Sequence, residues 1–229
     1  MARPLFRRLR PLLLLALLGC ASAPQRLRPG VNDRYFDPDA AETWTAVFEG
    51  ESREVFRHRE AIVARLGLSP GMVVGDIGAG TGLFTLPIAR AVGETGHVQA
   101  VDIVPEFLAR IDARVREAGL ANVETVLGTE QATTLAGDSL DLAFLCNVYH
   151  HIEYPDPYMR SVLGALRPGG TLVVIDFERI EGVTSPPMLK HVRAPKETVL
   201  EEILASGFEL VREEEGFLQE NYYLVFRRP

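Results

Sequence analysis

Ten residues, VVGDIGAGTG from Val73 to Gly82, limit what this chain can fold into more than any other stretch. Val73, Val74 and Ile77 favour a buried strand, and Gly78, Gly80 and Gly82 then make a turn nearly bare of side chains. Leu83 to Val92 follows with apolar residues at helical spacing. Strand, glycine turn and helix in that order put the turn at the carboxyl edge of a parallel sheet, where backbone can come close to a ligand.

The spacing narrows the ligand. A dinucleotide turn needs G-x-G-x-x-G, and its third glycine would fall on Leu83. The Gly-Lys-Ser/Thr ending of a P-loop is absent as well, so no side chain stands ready to neutralise phosphates. Asp76 beside the turn repels a phosphate and suits a cation, such as a ligand bearing an ammonium and a sulfonium. His97 to Asp102, HVQAVD, reads as a second strand ending in an acid, 26 residues beyond Asp76. An acid at that strand end can accept hydrogen bonds from both hydroxyls of a ribose. With D-x-G-x-G-x-G at Asp76 to Gly82, the chain resembles the class I S-adenosylmethionine (SAM) dependent methyltransferases.

That resemblance covers about Gly71 to Phe226 and implies SAM as cofactor, held by Asp76, Gly78, Ala79, Gly80, Gly82 and Asp102. After its third strand the family usually has Gly-Asp-Ala, whereas this chain has Gly128-Thr-Glu-Gln131. Glu130 or Gln131, displaced by one or two positions, is then the candidate for the adenine amino group. After the fourth strand comes CNVYHHI, in which Asn147 offers a donor and an acceptor to bridge cofactor and substrate. The segment is not N/D-P-P-Y, which argues against methylation of adenine or glutamine nitrogen. His150 and His151 are the candidate catalytic bases for a hydroxyl or thiol acceptor. Neighbours on an extended segment point to opposite sides, so one of the two is expected to face the substrate. Most of the rate is expected from in-line alignment of acceptor, methyl carbon and sulfur. Arg193, after the Pro186-Pro187 turn, is a candidate to hold an anionic acceptor or a surface salt bridge.

Strands and helices alternate from Ser52 onward, the pattern of a doubly wound α/β fold, with no internal repeat. Ser52 to Leu66, Pro105 to Ala118, Pro157 to Leu166 and Lys196 to Ser206 read as helices. Asn122 to Leu127, Ser139 to Cys146, Thr171 to Phe177, Phe208 to Glu213 and Tyr222 to Phe226 read as the remaining strands. The resemblance implies a three-layer, mostly parallel seven-stranded sheet in the order 3-2-1-4-5-7-6 with the last strand antiparallel, in a single domain over residues 51–229.

The first twenty residues are a different material. Arg3, Arg7, Arg8 and Arg10 precede the run LLLLALLG and Cys20, a positive segment and short apolar run typical of an export signal, too short to span a bilayer. Leu17-Leu18-Gly19-Cys20 resembles the bacterial lipoprotein cleavage box, which implies acylation at Cys20 and an exported, membrane-attached protein with a cytoplasmic alternative. Residues 21–50 are expected to form a tether and an N-terminal flap, with Tyr35, Trp44 and Phe48 over the cofactor or against the sheet edge. The net charge is −7, and loss of residues 1–20 removes four arginines and no acids, leaving −11. Nucleic acid is thus an improbable partner, and membrane contact is expected only through a lipidated Cys20. The other cysteine, Cys146, leaves no room for a disulfide or cysteine metal site within one chain, and no metal is expected. The expected partner is a small-molecule methyl acceptor, with oligomeric state left open. The alternative is an exported, non-catalytic protein of the same fold that binds a nucleoside-like ligand.

Overall fold

The computed structural model describes residues 23–37, 40–182 and 184–229. Residues 1–20, with Cys20, lie outside them. Seven strands form one sheet in the order β3-β2-β1-β4-β5-β7-β6. They are β1 Val73–Ile77, β2 His97–Asp102, β3 Val123–Leu127, β4 Leu140–Cys146, β5 Leu166–Phe177, β6 Glu209–Glu213 and β7 Asn221–Arg227. β7 runs antiparallel to β5 and β6, and the pairs among β1 to β5 are parallel.

Alternation along the central strands builds the three layers. In β4, Leu140, Ala143 and Leu145 enter one core, and Leu142 and Phe144 enter the other. β5 repeats the pattern, with Leu172 and Val174 on the first face and Val173 and Ile175 on the second. The first face is covered by α6 (Pro155–Ala165) and α8 (Lys196–Ala205) through Met159, Val162, Val199 and Ile203. The second is covered by α3 (Arg59–Arg65) and α4 (Thr85–Val92) through Ile62, Ile88 and Val92. A strand buried on both faces must be apolar at nearly every position, as β4 is. Each fully buried leucine there contributes about 1.5 to 3 kcal/mol. α5 (Pro105–Glu117) packs Ile111 and Val115 against Ala100 of β2.

The structure corrects several boundaries. The helix expected over Ser52 to Leu66 is two, α2 (Glu54–Arg57) and α3, separated at His58. Glu54 sits buried at the start of α2, where its carboxylate accepts from the amides of Gln219 and Glu220 and from Asn221 Nδ2 at 2.6, 2.9 and 2.8 Å. That long-range cap has no local sequence signature. β5 starts at Leu166, five residues earlier than expected, because Pro168 disfavours helix at the preceding residue and the segment pairs with β4 across a register shift. The Pro186-Pro187 turn is the first turn of α7 (Pro186–His191), a position where prolines lose no helical hydrogen bond.

The segment before the sheet is docked. Leu27 N–H donates to the Glu153 carbonyl at 2.8 Å, Gly30 N–H donates to Glu153 Oε1 at 3.1 Å, and Arg26 pairs with the same carboxylate. Glu153 is 1% exposed, and a buried carboxylate needs such donors. α1 (Ala40–Phe48) lies on α5, where Tyr35, Trp44 and Phe48 cluster with Val104 and Phe107.

Candidate functional site

The carboxyl ends of β1, β2, β4 and β5 open into one cavity of about 900 Å³. Its volume lies at the upper end of the range for small-molecule sites. Asp76 and Asp102 both line it, so the two strand-end acids share one space.

The glycine turn is shaped by contacts that exclude side chains. Gly78 has φ +71°, and a Cβ there would come within 2.5 Å of the Val148 methyl groups. Gly80 has φ +55°, and its amide donates to Asp102 Oδ2 at 2.8 Å. Val104 N–H donates to Asp102 Oδ1 at 3.0 Å, so the carboxylate is pinned by backbone while each oxygen keeps a lone pair for a ligand. Asp76 Oδ2 accepts from the Thr85 hydroxyl at 2.6 Å. Burial pushes Asp102 up to about 6 against the pull of its backbone donors. Burial pushes Asp76 up to about 7, with the nearby Asp102 charge adding to the rise. A cation entering the cavity favours both ionised forms.

Asn147 ends β4 in the left-handed region, φ +55°, with its amide donating to the Ile175 carbonyl at 2.8 Å. Its side chain is 9% exposed, lines the cavity, and neither amide atom has a partner. An orphaned, buried amide on a ligand cavity is what a bound polar molecule would satisfy. Ala79, Gly80 and Glu130 also line the cavity, whereas Gln131 is exposed and stands outside its wall. Glu130 is half exposed and lies 3.4 Å from Arg26. Gly82, φ +83°, packs against Ile111 of α5 behind the turn.

Both histidines of the HH pair face the cavity, against the expectation that one would turn away. The reason is local: Tyr149–His151 is a turn of 3-10 helix, in which successive side chains are about 120° apart and not 180°. Their rings lie 4.2 Å apart, centroid to centroid. His150 is buried, with Nδ1 2.6 Å from Asp176 Oδ1 and its amide 3.1 Å from Asp176 Oδ2. Burial, with the His150 and His191 rings beside it, holds His151 well below its ordinary range. Tyr149 points the other way, into the core, and donates to Glu202 at 2.9 Å.

Arg193 is not an acceptor ligand. It forks onto Glu202 at 2.8 and 2.5 Å, away from the cavity. The cavity guanidinium that sequence reasoning missed is Arg53, which lies over Phe48 and Phe177 at 5.4 and 6.0 Å and has no carboxylate pair among the described residues. Burial lowers its pKa, opposed by the fields of Cys146, Tyr35 and Asp176. Burial raises the Cys146 thiol, and it feels the charges of Arg53, Asp176 and Asp76, so groups of both signs lie near the end of β4. Asp176 and Arg34 were missed as well; neither belongs to a motif.

Comparison with known proteins follows this geometry. Residues 74–170 match the family described as methyltransferase domain. The fold is the Rossmann-like fold of SAM-dependent methyltransferases: one from Aquifex aeolicus superposes with a TM-score of 0.74 at 24% identity, covering 85% of this chain and all of that one. The cofactor implied by the match is S-adenosylmethionine. The same fold also serves a [4+2]-cyclase, SpnF, at a TM-score of 0.64, 21% identity, 76% of this chain and 80% of that one.

Among curated relatives, ubiquinone/menaquinone biosynthesis C-methyltransferases UbiE are similar in sequence. That of Hydrogenovibrio crunogenus is 32% identical over 126 residues, 54% of this chain and 48% of its own. That of Vibrio vulnificus is 32% identical over 114 residues, 49% of this chain and 44% of its own. The chain thus spans about half the length of the curated relatives it matches. The similarity to these biosynthetic enzymes contradicts the expectation of an exported, membrane-attached lipoprotein. The residues behind that expectation, 1–20 with Cys20, lie outside the described ones. Among the described residues no helix is long and apolar enough to cross a membrane.

Proposed function

We propose that the protein transfers a methyl group from S-adenosylmethionine to a small-molecule acceptor bound in the same cavity. The observation that carries this reading is the shared cavity of Asp76, Asp102 and the unpartnered Asn147 beside the glycine turn. SAM supplies the methyl group on a sulfonium. Asp102, oriented by Gly80 and Val104, would hold the ribose hydroxyls, and Glu130 is placed for the adenine. Gly78, Ala79 and Gly80 keep the turn open. Asp76 and Arg53, which both line the cavity, suit the ammonium and the carboxylate of an amino-acid end.

Asn147 would sit between cofactor and acceptor. His150 and His151 would activate the acceptor's nucleophilic atom, with Asp176 fixing the His150 ring. Trp44, Phe48, Phe177 and Met188 line the cavity and give the acceptor an apolar, partly aromatic wall. Tyr35, Trp44 and Phe48 would help to cover it, fastened where the Thr81 hydroxyl donates to Glu49 Oε1 at 2.7 Å and Arg114 bridges both. The likeness to quinone C-methyltransferases suggests a phenolic acceptor.

Calorimetric titration of the folded full chain with SAM, followed by transfer of labelled methyl from SAM to catechol or hydroquinone, tests the reading. Stoichiometric binding and label in the organic phase are expected. A folded protein that takes up no SAM would overturn it.

A further inference from the structure

The chain has five histidines, and three of them, His150, His151 and His191, meet on the wall of the cavity. One ring nitrogen from each lies within 4.8 Å of the others, and the ring centroids are 4.2, 4.9 and 5.0 Å apart. They come from two segments, the 3-10 turn after β4 and the last residue of α7, which the fold folds back over the first. All three line the cavity.

Each ring is prepared as a ligand. The Asp176 carboxylate on His150 Nδ1 fixes that ring and leaves Nε2 free, the carboxylate–histidine arrangement that supports protein metal sites. His151 Nδ1 is buried and has no partner. The His191 ring lies 4.9 Å from that of His150 and 5.0 Å from that of His151, so the three rings face one another. Arg34 is the cation in contact, with Nη2 3.1 Å from His191 Nε2. It also donates to the Tyr35 hydroxyl at 3.1 Å and lies over the Trp44 ring at 5.0 Å, which gives it a place to rest when His191 turns to a metal. Three converging imidazoles on the wall of the cavity match the donor set of catalytic zinc sites, which keep a fourth position open.

We infer that His150, His151 and His191 bind a divalent transition-metal ion of the zinc class, with the open position facing the acceptor. The use of such a site rests on the proposed methyl transfer; the binding does not. A phenol or enol oxygen held there loses its proton to water near neutral pH, because the ion stabilises the anion. The ionised phenol then attacks the SAM methyl group: an O–CH3 or C–CH3 bond forms, the S–CH3 bond breaks to leave S-adenosylhomocysteine, and attack at a ring carbon is completed by loss of that carbon's proton to water. The histidines then act as a group through the ion, and Asp176 is a positioning residue behind them.

Zinc chloride titrated into the metal-stripped full chain tests the site, with cobalt substitution as a spectroscopic readout. One ion per chain and visible cobalt bands of nitrogen ligation are expected. His191→Ala and His151→Ala each abolish stoichiometric uptake, Asp176→Asn weakens it about 10- to 100-fold, and His97→Ala, beside Glu124 on the surface, leaves it unchanged. Thermal unfolding identifies any variant that fails to fold, and His191, half-buried at a helix end, is the safest to remove. Absence of stoichiometric zinc in the wild type overturns the inference, as does uptake that survives the His151→Ala, His191→Ala double variant. A SAM titration on the same samples separates the readings: SAM without zinc sinks the metal site alone, and zinc without SAM sinks the methyltransferase reading alone.

Discussion

The two ends of the cavity are built in different ways. The proposed cofactor end is local: Asp76, Gly78, Ala79 and Gly80 lie within five residues at the end of β1, and Asp102 ends the adjacent strand, paired to β1. The acceptor end is assembled from afar. It takes Arg34, Tyr35 and Trp44 from the N-terminal segment, Asn147 to His151 from the end of β4, Asp176 from β5 and His191 from α7. The first end is rigid backbone with a few pinned carboxylates, and the second is a set of side chains held by one another. A reaction fixed by one cofactor needs the first to stay the same, whereas the choice of acceptor is free to vary with the second.

The largest effect should come from the cofactor end. Gly78→Val places branched carbons where a Cβ alone already reaches Val148, at a left-handed backbone that costs about 1 to 2 kcal/mol for any side chain. SAM binding by calorimetry should vanish and the melting temperature should fall; retained affinity would break the distinction between the two ends. Asp102→Ala should weaken SAM by about 2 kcal/mol, roughly 30-fold, since charge-assisted bonds to the ribose are lost. Unchanged affinity would remove Asp102 from the site.

A substitution at the other end should separate the two. Asp176→Asn should lower methyl transfer at least about tenfold while SAM affinity stays within about threefold, because the residue lies behind His150 and away from the glycine turn. Equal losses in both would mean that the ends are not independent.

The smallest effect is a pH dependence, and its sign follows from the raised acids. Asp102 at about 6 and Asp76 at about 7 are above the ordinary carboxylate value of 3.8. Between about pH 4 and 7 the folded, empty protein binds more protons than the unfolded chain, so its stability falls as pH rises through that window. SAM, a cation, favours the ionised acids, so its affinity should rise from pH 5.5 to 7.5 with release of protons. Calorimetry in two buffers of different ionisation enthalpy measures that release; proton uptake would contradict the role of both acids.

The fold was legible where local pattern and burial agree. β1 and β2 end where their acids stand, and β4 reads as apolar because both of its faces are covered. The site was legible only in part. Asn147 could be named because it follows a strand end, but its left-handed backbone, whose N–H donates to Ile175 of β5, and its unpartnered side-chain amide are set by the tertiary structure. Gln131 was misplaced because a shifted loop offers no periodicity to count. The paired orientation of His150 and His151 was missed because a single 3-10 turn is too short to mark the sequence.

What the sequence determined by itself was the cofactor end: a strand, a bare turn and two acids are consecutive or one crossover apart, so chain connectivity and the reach of a few residues fix their geometry. What only the tertiary structure decided was the acceptor end. Arg53 at the cavity, Glu54 under the β6–β7 loop, Glu153 beneath the N-terminal segment and His191 against the HH pair are all contacts between distant segments. Such contacts are selected by the burial of whole helices and strands against each other, and no short stretch of chain contains the energy that chooses them.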